Sequence, residues 1–260
     1  MNEVNKTLYN PLYGKALVSK KGIILHAPKA EEVWEGEGFP LKGRSRSKWL
    51  AYYMGMRARV FDRWLQAQLQ RWEDAAVLHI GCGMDSRILR VGNSGHLWFD
   101  VDFPEVIAQR EKHYAAQEGY RMLPGDARRP DFLEQIPGTS VIVALEGISM
   151  YLTDEELRGF LSALDARFDR VAVLTDCYTA FAARMSKYKN PVNDVGVTKL
   201  YGIDDPKLLE SGNIRFLAEH SITPDDLISQ LQGMEMKIFR KLYAGKMAKK
   251  LYRLYEFHKE

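Results

Sequence analysis

Hydrophobic side chains recur at helical spacing in the first third of the chain. In residues 45–72, SRSKWLAYYMGMRARVFDRWLQAQLQRW, apolar residues return every three or four positions. This period predicts a long helix with Ser45 or Ser47 as its N-cap. The N-terminal third is therefore expected to be mostly helical.

From Ala75 onward the pattern changes to short apolar runs separated by helical segments. Five runs predict strands: AAVLHI, GHLWFDVDF, YRMLPGD, TSVIVALEG and DRVAVLTDCY. Pro104 opens a predicted helix through EVIAQREKHYAAQEG, and TDEELRGFLSALDARF predicts another with Thr153 as cap and Glu156 at the capping-box position. Strands that alternate with helices favour a parallel, doubly wound sheet.

After Tyr178 the pattern is less regular. An insertion that follows a late strand often covers a site at the carboxyl edge of the sheet. DDLISQLQG predicts a helix, and MEMKIFRKLY and YRLYEFH are expected as strands that form a final antiparallel pair.

Composition narrows the class of protein. Hydrophobic residues make up 46% of the 260 residues and charged residues 27%, the balance of a globular chain. A net charge of +3 is too small to argue for a nucleic-acid partner. No apolar run approaches the ~20 residues that span a bilayer, and no signal peptide is evident, so a cytoplasmic location is expected. Cys82 and Cys177 match no metal-binding spacing.

A Gly-x-Gly turn follows the first predicted strand, in IGCGMDSR. Gly81 and Gly83 have no Cβ, so a ligand can approach the backbone closely. The dinucleotide fingerprint needs a third glycine or alanine, where this chain has Ser86, and Asp85 would be unfavourable beside a pyrophosphate. A nucleoside that carries an ammonium fits this turn better, and S-adenosylmethionine is such a molecule.

Acidic residues close the next three predicted strands. Asp100 and Asp102 lie about 20 residues after the turn, where a carboxylate can accept from two ribose hydroxyls; Asp102 could instead cap the next helix. Asp126 could accept from an adenine amino group or simply form a turn. Glu146 needs a cationic partner, either from the ligand or from a side chain such as Lys15, Arg57 or Arg59.

The motifs VLHIGCGMDSRILR, WFDVDFPEVIAQREK, GDARRPDF and ALEGISMYL, in this order, resemble the leucine carboxyl methyltransferase family of class I S-adenosylmethionine-dependent methyltransferases. Within that family the chain is most similar to the bacterial O-methyltransferases of the tetracenomycin polyketide type. The stretch TLYNPLYGKALVSKKGIILHAPKAEEV and the insertion after the fifth strand support this branch.

The resemblance implies a Rossmann-like α/β fold in one domain over residues 1–260. Its central, mostly parallel sheet has seven strands with helices on both faces, a helical N-terminal cap (1–72) and a lid insertion (178–213). The implied cofactor is S-adenosylmethionine and the implied partner a small-molecule acceptor. The implied cofactor-binding residues are Lys15, Arg59, Gly81, Gly83, Asp100, Asp102, Asp126, Ala127 and Glu146. Tyr151 is implied as a site-lining residue, and Arg57 competes with Arg59.

Two alternatives remain open at this stage. A non-catalytic protein that senses S-adenosylmethionine would carry the same cofactor residues. An NAD-dependent dehydrogenase is disfavoured by Ser86, Asp126 and Glu146. The six histidines show no paired spacing, so the sequence does not identify a general base, and the acceptor oxygen could be a phenol or a carboxylate.

Overall fold

A seven-stranded sheet organises the chain, with strand order β3-β2-β1-β4-β5-β7-β6. The computed structural model describes residues 8–38, 46–189 and 199–260, with side chains described throughout except at 187–189. The strands are β1 (Ala76–Ile80), β2 (Trp98–Asp102), β3 (Tyr120–Pro124), β4 (Ser140–Leu145), β5 (Arg170–Tyr178), β6 (Arg215–His220) and β7 (Tyr252–Lys259). The first five run parallel to one another.

Helices lie on both faces of this sheet. They are α1 (Tyr9–Lys20), α2 (Pro28–Glu37), α3 (Lys48–Arg71), α4 (Arg87–Val91), α5 (Pro104–Arg110), α6 (Asp154–Arg167), α7 (Ala180–Lys189), α8 (Asp225–Ile228), α9 (Gly233–Leu242) and α10 (Lys246–Lys249). None of these helices combines the length and the apolar character that crossing a membrane requires.

The sheet separates two apolar layers, because successive side chains of a strand point to opposite faces. Val77 and Ile142 pack with α1, α3 and α9 on one face, whereas Leu78 and Val143 pack with α6 on the other. Strands buried on both faces explain the mostly apolar runs of β1 and β4. The expected mostly parallel, Rossmann-like α/β architecture is confirmed.

The predicted capping box is also present at the start of α6. The Glu156 backbone N–H donates to Thr153 Oγ1 at 3.1 Å, and the Thr153 N–H donates to Glu156 Oε2 at 2.7 Å. The long helix begins after Ser47, and Ser45 lies outside the described residues.

Two predictions of local structure were wrong. Residues 233–242 form helix α9 rather than a strand, because Met236, Phe239 and Tyr243 lie three or four positions apart and meet the core together. β7 pairs antiparallel with β6 on one side and with β5 on the other. Helix α5 ends at Arg110 rather than continuing to Gly119, and the chain turns there while the buried Arg110 side chain points toward β2.

Helices α1 and α3 cross closely at two glycines. A Cβ on Gly14 would lie 2.9 Å from Met54 Cβ, and one on Gly55 would lie 2.8 Å from Val18 Cγ2. Without side chains at these positions the two helices can approach, as small residues allow at helix crossings. This crossing brings Lys15 of α1 beside Arg57 of α3, at the carboxyl edge of the sheet.

Candidate active site

The turn after β1 is shaped by its two glycines. Gly81 has φ +68° and Gly83 has φ +50°, in the left-handed region that favours glycine. A Cβ on Gly81 would lie only 2.1 Å from Ile148 Cγ2, in the loop after β4. The turn therefore passes so close to that loop that only glycine fits at position 81.

A cavity of about 250 Å³ opens beside this turn, at the carboxyl ends of β1 to β4. Parallel strands bring their carboxyl ends to one edge of a sheet, which is where open α/β folds bind ligands. Six residues that the sequence singled out line this cavity: Gly81, Gly83, Asp102, Asp126, Ala127 and Tyr151.

Asp102 ends β2 and holds the turn in place. Its Oδ2 accepts from the Gly83 N–H at 2.8 Å, and its Oδ1 accepts from the Phe103 N–H at 2.8 Å. Burial raises the pKa of Asp102 to about 6 even though both hydrogen bonds favour the ionised form. The second contact is with the next residue and not with the first turn of α5, whose N-cap is Phe103, so Asp102 does not cap that helix.

Asp126 follows β3 and lines the same cavity. Its carboxylate accepts from the Arg128 side chain, with Nη2 to Oδ2 at 2.6 Å, and from the Arg128 backbone N–H at 2.9 Å. Burial alone would raise the pKa of Asp126, but the bonds from Arg128 lower it below its ordinary value. Asp126 is therefore an ionised acceptor on the cavity wall.

A smaller cavity of about 50 Å³ lies next to the first and shares Leu8, Gly81 and Gly83 with it. Lys15, Arg57, Asp85 and Glu146 are among its lining residues. The two cavities together make a site with one weakly charged compartment and one densely charged compartment.

The second compartment opens onto eight buried ionic side chains, which we call the buried charge network. Its members are Lys15, Arg57, Asp62, Asp85, Arg87, Arg90, Glu146 and Asp176. Four cations and four carboxylates leave the network with no net formal charge. Buried ions are tolerated only when they are paired in this way.

Glu146 is the centre of this network. Its Oε1 lies 3.2 Å from Lys15 Nζ and 3.1 Å from Arg57 Nη2, and its Oε2 contacts Arg87 Nη2. Burial alone would raise the pKa of Glu146, but the three cations outweigh burial and hold it well below its usual range. Glu146 therefore carries its negative charge inside the protein.

Arg57 connects Glu146 to a second acid, Asp176 at the end of β5. Arg57 Nη1 donates to Asp176 Oδ2 at 2.8 Å, and the Gly147 N–H donates to Asp176 Oδ1 at 2.6 Å. Burial raises the pKa of Asp176 in spite of these bonds. The sequence gives the same signal for Asp176 as for Glu146, an acid after an apolar strand, but the acid of β5 was not among the predicted site residues.

Asp62, Arg87 and Arg90 complete the network on the far side of the turn. Asp62 accepts from Arg87 Nε at 3.0 Å and from Arg90 Nε at 2.7 Å. Arg90 also donates to Asp85 at 2.6 Å. These contacts tie the residues after the glycine turn to α3, and no local sequence pattern indicates them.

The structure does not bring Arg59 to this site. Arg57 and Arg59 are two positions apart on α3, so they point in different directions around the helix. Arg57 is 2% exposed and faces Glu146, whereas Arg59 lines a different cavity with Pro28 and Arg63.

Asp100 is also not exposed to either cavity. It is fully buried and accepts from His79 Nδ1 at 2.9 Å, Trp98 Nε1 at 2.9 Å and Tyr120 Oη at 2.7 Å, and it contacts Arg110 Nη2. Arg110 in turn donates to the Gly83 carbonyl at 2.9 Å. Asp100 thus supports the glycine turn from below.

His79 joins Asp100 to the buried charge network. Its Nε2 accepts from Arg87 Nη1 at 3.0 Å, because an arginine can only donate, so Nδ1 carries the proton toward Asp100. Burial and Arg87 lower the pKa of His79. The histidine is therefore neutral, with both ring nitrogens occupied.

No cluster of three or more histidine, cysteine, aspartate or glutamate side chains in the described ranges is arranged to hold a metal ion.

Comparison with known proteins identifies the family. The family model for leucine carboxyl methyltransferase matches residues 2–165. The chain is 31% identical over 183 residues to the tetracenomycin polyketide synthesis O-methyltransferase TcmP of Streptomyces glaucescens, covering 69% of this chain and 68% of that protein. It is 29% identical over 184 residues to the S-adenosyl-L-methionine-dependent methyltransferase dpfgK of Gibberella zeae, covering 65% of this chain and 62% of that protein.

A solved structure supports the fold. Magnesium protoporphyrin IX methyltransferase ChlM of Synechocystis, with 12% identity, aligns over 90% of this chain and 94% of its own with a TM-score of 0.50.

The family match spans α1 to α6 and so includes the glycine turn, the acids of β2 and β3, and Glu146. The chain belongs to the leucine carboxyl methyltransferase family, whose methyl donor is S-adenosylmethionine.

Proposed function

We propose that this chain transfers a methyl group from S-adenosylmethionine to a hydroxyl or carboxyl oxygen of a small molecule. The observation that carries the proposal is the pair of adjoining cavities at the sheet edge. One offers carboxylate and backbone groups suited to a nucleoside, and the other offers paired cations and acids suited to an amino acid.

The larger cavity would hold the nucleoside. Each Asp102 oxygen accepts one backbone N–H, so lone pairs remain for two ribose hydroxyls. Asp126 and the backbone of Ala127 would contact the adenine. A pyrophosphate would meet two carboxylates here, which disfavours a dinucleotide.

The smaller cavity would hold the amino-acid end of the cofactor. Lys15 and Arg57 supply positive charge for its carboxylate, and Glu146 supplies negative charge for its ammonium. Because the buried charge network is already neutral, we infer that the carboxylate and the ammonium of the cofactor bind by replacing partners in ion pairs that already exist. Arg57 takes the role that the family resemblance gave to Arg59.

When bound, S-adenosylmethionine would supply a methyl group activated by its sulfonium. As the oxygen–carbon bond to the acceptor forms, the sulfur–carbon bond breaks and the sulfonium becomes a neutral thioether. The protein's contribution is then positioning and the exclusion of water. Gly81 and Ile148 fix the spacing between the turn and the loop after β4, and Tyr151 lines the cavity beside them. We propose residues 178–213 as a lid over the acceptor; positions 190–198 of this segment lie outside the described residues.

We infer that the acceptor arrives ionised, because two candidate bases beside the smaller cavity are already engaged. His79 is neutral with both nitrogens hydrogen-bonded, and Glu146 is held by three cations, so neither is available as a general base. A carboxylate needs no base, whereas a phenol with a pKa of about 10 would. The name of the TcmP relative supports a polyketide-type acceptor.

Two measurements test this function. Calorimetry should show binding of S-adenosylmethionine and its demethylated product but not of NAD. Incubation with methyl-labelled cofactor and matched aromatic acids and phenols should then show label transfer, preferentially to the acids. Cofactor binding without transfer to any acceptor would favour the sensor alternative, and tight NAD binding in place of S-adenosylmethionine would overturn the proposal.

A further inference from the structure

A separate cavity of about 630 Å³ lies on the outer side of α3 and shares no lining residue with the candidate active site. The loop between α1 and α2, helix α3, helix α4 and Gln230 surround it. Five basic side chains line it: His26, Lys29, Arg59, Arg63 and Arg90. Within the described ranges no aspartate or glutamate lines it, so the charged groups of its wall are all basic.

Arg59 differs from the other long basic side chains of this cavity. Arg63 pairs with Asp226 at 2.6 Å, Arg90 is held in the buried charge network, and Lys29 pairs with Glu32 at 2.5 Å. Arg59 is half-buried and makes no ion pair or hydrogen bond within the described ranges. Its guanidinium therefore offers unassigned donors to the cavity.

The loop that forms the opposite wall is held in a strained shape. Ile24 has φ +65°, a conformation that a β-branched residue rarely adopts. Its backbone N–H donates to Gln230 Oε1 at 2.6 Å, and its side chain is buried. Strain of this kind persists only where surrounding contacts enforce it, and it concentrates at ligand sites.

Apolar surface completes the cavity. Ile23 and Leu25 line it from the loop, and Leu89 of α4 lines it while remaining 57% exposed. A site that joins an unpaired guanidinium to apolar walls matches a ligand with a charged head and a hydrophobic body.

We propose that this cavity binds an organic anion, with an oxyanion head on Arg59 and an apolar body against Ile23, Leu25 and Leu89. A carboxylate and a phosphate share the chemistry that Arg59 recognises, because the guanidinium fork binds either one through two parallel hydrogen bonds. This site is distinct from the proposed methyl-transfer site, since the two share no lining residue, although Arg90 also donates to Asp85 of the smaller cofactor cavity.

Ligand-observed NMR titration of the full chain tests this proposal. Phenyl phosphate and phenylacetate serve as probes for the two head groups, and inorganic phosphate serves as a probe without an apolar body. We expect saturable binding of at least one aromatic probe, tighter than that of inorganic phosphate. The tighter of the two aromatic probes identifies the preferred head group.

Three variants locate the binding. Arg59→Gln should weaken binding about tenfold or more, because it removes the charged fork but no existing partner. Leu89→Glu places a negative charge on the exposed rim of the cavity and should also weaken binding. Arg158→Gln, at an exposed position of α6, should leave it unchanged. No saturable binding of either aromatic probe, or equal binding by wild type and Arg59→Gln, would overturn the proposal.

Discussion

Lys15 Nζ lies 2.7 Å from the carboxylate of Asp85, which is 70 residues further along the chain. The same ammonium lies 3.2 Å from Glu146. One side chain of α1 thus joins the glycine turn after β1 to the loop after β4. The N-terminal helix completes the candidate site, although it contributes no strand to the sheet.

Replacing Lys15 should therefore affect both folding and cofactor binding. Lys15→Gln leaves Asp85 with its arginines but removes one of the three cations around Glu146. We expect a loss of about 2 kcal/mol in the free energy of unfolding, the scale of a buried charged hydrogen bond. Urea denaturation measures this loss. Lys20→Gln, on the same helix in an exposed pair with Glu35, should change stability much less, because water screens an exposed ion pair; equal losses in both variants would contradict this interpretation.

Arg57 and Arg59 give a matched pair of substitutions. Arg57→Lys cannot reproduce the fork that contacts Glu146 and Asp176, so the affinity for S-adenosylmethionine should fall about tenfold or more. Arg59→Lys should leave it within about twofold, because Arg59 lines the other cavity. Calorimetric titration compares the two. The reverse order would show that α3 presents the other arginine to the cofactor.

Gly81 should tolerate no side chain. Gly81→Ala places a Cβ 2.1 Å from Ile148 Cγ2 at a backbone φ of +68°, so we expect loss of cofactor binding and a destabilisation of about 2 kcal/mol or more. Thermal unfolding and calorimetry measure the two effects.

Gly22 supplies the control for this substitution. Its φ is +66°, but a Cβ there would meet nothing within 4 Å. Gly22→Ala carries the same backbone cost without the collision, so it should be milder and should leave cofactor affinity unchanged. Adding Ile148→Ala to Gly81→Ala should recover part of the lost stability. If the two alanine variants behave alike, the close contact with Ile148 is unimportant.

Cofactor affinity should depend on pH through Asp102. Its pKa is raised to about 6, and only the ionised carboxylate offers full acceptor strength to the ribose hydroxyls. Between pH 7 and pH 5 the affinity for S-adenosylmethionine should therefore fall about tenfold, as expected for one titrating group. Calorimetry at both pH values tests this. Asp102→Asn should bind weakly at both, and an unchanged pH dependence in that variant would assign the effect to another group.

The same carboxyl has an opposite effect on folding. Its pKa is higher in the folded state than the ordinary value of 3.8, so protonation favours folding. This contribution is complete below pH 4 and is lost as pH rises through 6. Asp102→Asn should remove that decline, which urea denaturation across this pH interval would show.

The sequence predicted the strand ends better than the helix faces. Asp102, Asp126 and Glu146 each follow an apolar run, and parallel pairing brings such positions to one edge whatever the details of packing. Helix α3 is buried without interruption from Ala51 to Ala58, so no polar stripe indicates which way it faces. The choice between Arg57 and Arg59 depended on that orientation.

The sequence also did not indicate how deeply each acid of β2 is buried. Asp100 and Asp102 point to the same face of β2. Asp100 is fully buried, whereas Asp102, two residues further along the strand, lies at the cavity. Three partners of Asp100 come from β1, α5 and β3, and only the folded chain brings them to it. The strand prediction for residues 233–242 was wrong for a simpler reason. Apolar and polar residues alternate from Met234 to Ile238 as in a strand, while Phe239 and Tyr243 follow the helical period.

The position of β7 between β5 and β6 has a consequence for biogenesis. Among the strands that the structure describes, β6 pairs with β7 alone, although it precedes β7 by some thirty residues in the chain. During synthesis on the ribosome, β6 emerges with its hydrogen-bonding edges unsatisfied and must wait for β7 before it can join the sheet. The five parallel strands can assemble beforehand, so β6 and β7 are the strands that complete the sheet.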